Sequence, residues 1–78
     1  MTIEVLSMKI SYNKLWKLLI DKKMSKADLR KAISMSPNTL TKMRRDEEVS
    51  MSVLLKIAEY LKCDVSDMVE FINEDIVD

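Results

Sequence analysis

Five times along this chain a serine or aspartate stands immediately before a short apolar stripe at helical spacing, which leaves room for little besides a set of short helices. Ser11 precedes Tyr12, Leu15, Trp16, Leu19 and Ile20, a stripe at i, i+3, i+4, i+7 and i+8. Ser25 precedes Leu29, Ala32 and Ile33, with Asp28 where an acid suits a first helical turn. Ser36 is followed by Pro37, then Leu40 and Met43; Ser50 by Leu54, Ile57, Ala58 and Leu61; Asp64 by Val65, Met68, Val69 and Ile72, with Asp67 at the third helical position. A side-chain oxygen at such a position takes a hydrogen bond from an otherwise free backbone N–H, and proline at the first helical position loses no N–H the helix needs. The spacing predicts helices over about 12–22, 26–33 and 37–45, then two more after Ser50 and Asp64.

The expected fold is therefore all-α, five short helices in one compact domain spanning the 78 residues, its core within about 10–72. At this size only about 60% of the unfolded chain's surface is buried on folding. The front stretch "TIEVLSMKI" is ambiguous, because Leu6, Met8 and Ile10 alternate as a strand does. It reads either as a frayed end or as a short strand pairing with the C-terminal "FINEDIV" or a second subunit.

Residue types exclude several kinds of chemistry. With no histidine and only Cys63, zinc-ligand sets and Cys/His or Ser/His catalytic pairs cannot be built from this chain, and the absence of glycine removes phosphate-cradling glycine loops. No enzyme activity, cofactor or small-molecule ligand is expected. Cys63 reads as a redox-sensing thiol or as a small apolar residue near a helix end. No apolar run approaches the roughly 20 residues that cross a bilayer, and no signal peptide is evident, so a cytoplasmic location is expected.

Charge is informative only by region. Residues 9–45 carry eleven Lys/Arg against Asp21 and Asp28, a balance of +9, whereas residues 46–78 carry Lys56 and Lys62 against ten acids, a balance of −8. Such a split suits a basic face for a polyanion, and equally a solvated surface whose charges mix in three dimensions. The helices predicted at 26–33 and 37–45, joined by a turn through Ser34 and Met35, form a helix-turn-helix unit. Asn38, Thr39, Thr41, Lys42 and Arg45 are then free to face outward, short polar groups and bases that suit base edges and phosphates.

The stretches "ADLRKAISMSPNTLTKMRR" (27–45) and "SVLLKIAEYLKCDVSDMVEF" (52–71) resemble the Xre/Cro family of lambda-repressor-like transcriptional regulators, in particular its small single-domain members. The resemblance covers about residues 10–72 and implies a five-helix fold with helices 2 and 3 as the reader of a double-stranded DNA operator, bound by a homodimer. By position it implies that Ser36, Pro37, Asn38, Thr39 and Lys42 approach base edges, Asn38 foremost because a carboxamide pairs bidentately with adenine. Ser25 and Lys26, at the start of helix 2, and Thr41, Arg44 and Arg45 are the implied phosphate contacts. The alternative is a protein-interaction module, antitoxin-like or anti-repressor, that uses the acidic half and apolar residues such as Phe71, Ile76 and Val77.

Two positions depart from the family pattern. Ser34 stands where the turn usually has a glycine with positive φ, a cost on the order of 1 kcal/mol. Arg30 stands where alanine packs between the helices; a charged side chain there is expected to extend outward, leaving Ala32 as the small packing surface.

Overall fold

The computed structural model describes residues 8–73. Four helices form: α1 (Asn13–Asp21), α2 (Lys26–Ala32), α3 (Pro37–Arg44) and α4 (Met51–Leu61). Their starts follow the punctuation. Ser25, Ser36 and Ser50 each accept a hydrogen bond from the backbone N–H three residues on, of Asp28, Thr39 and Val53. The start of α1 is looser: Tyr12 takes the cap position with no side-chain bond, while the Ser11 hydroxyl accepts from the Asn13 N–H at 3.2 Å.

The core gathers Tyr12, Leu15 and Leu19 of the first stripe, Leu29, Met35, Leu40, Met43, Leu54, Ile57, Leu61 and Met68. Of the stripes before Ser36, two expected members fall outside it, and Val65 and Ile72 of the last stripe do as well. Ile20 is 72% exposed, because at roughly 100° per residue it lies at the margin of an arc centred on Leu15 and Leu19. Ala32 is exposed too, since α2 packs along the line from Leu29 to the half-buried Ile33.

The fifth helix is not formed, and the all-α, five-helix expectation is corrected. Asp64 does cap a turn, accepting from the Val65 N–H at 2.7 Å while Asp67 accepts from the Asp64 N–H at 3.0 Å. What it caps is a single 3₁₀ turn, Val65–Asp67, after which Met68 is fully buried. The chain then enters a strand, β2 (Glu70–Asn73), antiparallel to β1 (Met8–Ser11), with Met8, Lys9, Ile10 and Ser11 opposite Asn73, Ile72, Phe71 and Glu70. Phe71 and Ile72 favour the pleated form once a partner strand exists, and that partner lies some 60 residues earlier, beyond any local pattern. Of the readings left open for the front segment, pairing with the C-terminal one is thus the one seen, over these four pairs; residues 1–7 and 74–78 lie outside the described residues. On the far side of the turn the Lys14 ammonium donates to the Ser66 carbonyl at 3.2 Å, tying it to α1.

Every helix ends on a left-handed residue in a chain without glycine: Lys23 (φ 56°), Ser34 (54°), Asp46 (59°) and Lys62 (56°). After each, the next N–H turns back to a carbonyl five residues earlier, Met24 to Leu19 (2.9 Å), Met35 to Arg30 (2.8 Å), Glu47 to Lys42 (2.9 Å) and Cys63 to Ala58 (3.1 Å). These bonds satisfy carbonyls that the helix leaves open and reverse the chain sharply. The strain expected at Ser34 is therefore present, and it recurs at the other three helix ends.

Candidate nucleic-acid interface

The α2–turn–α3 unit is built around Leu29, Leu40 and Met43, all buried. Opposite Leu40 and Met43, at roughly 100° per residue, stand Asn38, Thr41, Lys42 and Arg45, each exposed. Thr39 is half-buried on one flank; Ser36 and Pro37, at the start of α3, and Arg44, on the other flank, are exposed. Arg44, Arg45 and Lys42 thus gather at the C-terminal end of α3, where positive charge also complements the helix dipole.

The hydroxyls differ in what they still have to offer. Ser36 accepts from the Thr39 N–H at 3.1 Å, and the two hydroxyls share a hydrogen bond of 2.9 Å, so one hydroxyl hydrogen of the pair is left for an outside acceptor. Thr41 donates its hydrogen back to the Pro37 carbonyl at 3.0 Å and in this rotamer presents only lone pairs. Donation to a phosphate from Thr41 requires its hydroxyl hydrogen to leave the Pro37 carbonyl by rotation about the Cβ–Oγ bond. The Asn38 carboxamide takes no partner among the described residues, so both its donor and acceptor sides are available.

At the start of α2 the Ser25 hydroxyl accepts from the Asp28 N–H at 2.9 Å, and the Asp28 carboxylate accepts from the Ser25 N–H at 3.0 Å. The Ser25 backbone N–H, and after it the Ser25 hydroxyl, hold the Asp28 carboxyl below the usual carboxylate range. This end of the helix therefore carries a fixed negative charge of its own, and attraction for a phosphate there falls to Lys26. That ammonium lies 4.3 Å from the centre of the Trp16 ring, a cation–π contact between α1 and α2. Trp16 also leans on Tyr12, ring centres 6.3 Å apart and tilted by 49°.

Arg30 does not extend outward. It is half-buried and folds over the turn, its guanidinium donating to the Met35 carbonyl at 3.3 Å while the Met35 N–H donates to the Arg30 carbonyl at 2.8 Å. A long side chain replaces a small packing residue by staying on the surface of the turn and closing it. The loop after α3 is anchored similarly: Tyr12, fully buried, donates its hydroxyl to the Glu47 carbonyl at 2.7 Å. Burial pushes the Tyr12 hydroxyl above the ordinary tyrosine range, with the nearby charges of Asp46 and Glu48 adding to the shift. Trp16, Arg30 and Tyr12 carry these supporting roles unannounced by any motif; a stripe position says "core" without saying what the polar end of the side chain will touch. Cys63 is half-buried against the core at the end of α4, and burial first, then Asp67, raises its thiol above the ordinary range, which disfavours a reactive thiolate.

Two helices joined by a tight turn, with the second presenting a polar and basic outer side, define a helix-turn-helix protein. The Cro/C1-type HTH DNA-binding domain model matches residues 14–74, and the chain belongs to that family. A solved structure, that of the transcriptional regulator VanUg (Form II), is similar at 47% identity and a TM-score of 0.86, the match covering 95% of this chain and 99% of that one. No curated protein sequence matches. Among the described residues no helix is long and apolar enough to cross a membrane.

Proposed function

We propose that this chain is a sequence-specific transcriptional regulator that acts in the cytoplasm as a homodimer on a double-stranded DNA operator, α3 entering the major groove. The observation that carries the reading is the outer side of α3, where Asn38, its carboxamide unengaged among the described residues, stands among Thr41, Lys42 and Arg45 directly opposite the buried Leu40 and Met43. Membership of a DNA-binding domain family and likeness to a transcriptional regulator support it.

In this reading Asn38 pairs with a base edge, Ser36, Pro37, Thr39 and Lys42 complete the base-facing set, and Arg44, Arg45, Lys26, Ser25 and Thr41 set affinity through phosphates. A two-fold dimer presents its two α3 helices about 34 Å apart, one turn of B-DNA. The test is a mobility-shift titration against the DNA flanking the chain's own gene over a range of salt. Asn38→Ala is expected to remove about 1–3 kcal/mol of discrimination among operator variants. Arg45→Ala is expected to weaken all sequences alike and to flatten the salt slope by about one. Absence of retardation at low salt defeats the reading, and an Asn38→Ala protein with unchanged preference removes Asn38 as the reader.

A further inference from the structure

Large apolar side chains left in water are unevenly distributed on this protein. Of the seven exposed ones among the described residues, Met8 (57%), Met51 (74%), Leu55 (60%), Val65 (42%) and Phe71 (70%) lie along two adjoining grooves; Ile20 and Tyr60 line neither. One groove, about 810 Å³, runs between the sheet and the start of α4 past Met8, Phe71 and Met51. The other, about 320 Å³, runs between α4 and the 3₁₀ turn past Leu55 and Val65. Met51 and Leu54 border both, so the two form one continuous face. Contiguous apolar surface of this kind marks an interaction site more often than it marks plain exterior.

We infer that this face is where a second copy of the chain packs, which names the surface of the homodimer proposed above and rests on that part of the reading. Charge selects the occupant. The rim carries Lys9 and Lys42 together with Asp46, Glu47 and Glu48, both signs within one patch. A two-fold contact sets most residues of such a patch against different residues of its twin, so Lys9 of one copy can meet acids of the other, whereas a partner of single sign gains on one part of the rim and loses on the other. The chain's formal net charge of zero leaves no overall repulsion between copies. Asn38, Thr41, Arg44 and Arg45 border neither groove, so pairing here leaves the outer side of α3 free, Lys42 alone being shared.

The experiment is light scattering on the full chain without DNA, at rising concentration, comparing the natural protein with Met51→Glu/Leu55→Glu and with Ile20→Glu. Both mutated patch residues are exposed, and glutamate at the first position of α4 suits the helix dipole, so the fold is expected to persist, as circular dichroism will report. The natural protein and the Ile20→Glu control are expected to reach twice the 9.1 kDa chain mass, and the double variant to stay at one chain mass. A double variant that still dimerises overturns the proposal. So does a natural protein that stays at one chain mass up to the highest concentration, the face then belonging to the chain's own terminal residues or to a different protein. A natural dimer that the double variant disrupts but that fails to bind DNA leaves this interface standing while defeating the operator reading.

Discussion

Ser34→Gly is a clean test of how this glycine-free chain turns its corners. Ser34 holds φ at 54°, is exposed, and its hydroxyl has no partner among the described residues, so replacing the side chain removes no contact. A residue with a Cβ costs roughly 1–2 kcal/mol in the left-handed region, and glycine removes that cost. Against it, glycine gives the unfolded chain extra freedom worth about 0.4–1 kcal/mol. The difference predicts a net gain of about 0.5–1 kcal/mol. With a urea slope of about 1–2 kcal/mol per molar for a small domain, the midpoint should rise by about half a molar with the slope unchanged. Ser34→Val supplies the opposite sign, since a β-branched residue at positive φ is strained further, and it should lose more than about 1 kcal/mol. DNA affinity of the glycine variant should be unaltered, because the Ser34 N–H to Lys31 and Met35 N–H to Arg30 bonds are backbone bonds that glycine keeps. A midpoint that stays put or falls, at constant slope, would falsify the strain account.

Removing the buried hydroxyl in Tyr12→Phe deprives the Glu47 carbonyl of its donor and should cost about 1 kcal/mol in chemical denaturation. Because the folded protein raises the pKa of Tyr12, this residue's contribution is complete below its unfolded value of about 10 and disappears as pH climbs through the folded one. Natural protein should therefore lose stability in strong alkali more steeply than the phenylalanine variant; parallel profiles would contradict this. For the Lys26–Trp16 contact, a double-mutant cycle with Lys26→Ala and Trp16→Leu should give a coupling of about 0.5–1 kcal/mol. Zero coupling would mean that the ammonium is merely solvated above the ring.

Capping residues were readable without a structure because their chemistry is local: Ser25, Ser36 and Ser50 act within three residues of themselves, and the helices begin where they stand. The outward side of α3 was legible for the same reason, since Leu40 and Met43 declare the inward side and 3.6-residue periodicity does the rest. The segment after Asp64 carried equally good local signals and they misled. A cap and an apolar spacing announced a helix, but Phe71 and Ile72 found β1 across the domain, and a ladder formed with a remote strand outweighed one turn of helix.

By its sequence alone this protein was determined to be a set of short capped helices with a helix-turn-helix unit and its positive charge held within residues 9–45. Those properties depend on neighbours a few bonds away. Only the tertiary structure decided that the ends of the described chain pair as strands, that Arg30 closes the turn rather than leaving it, that Lys26 rests on Trp16, and that Met8, Met51, Leu55, Val65 and Phe71 share one face. Each of these joins groups that no local periodicity relates, and their meeting is set by how the helices pack around Tyr12, Leu15 and Met43.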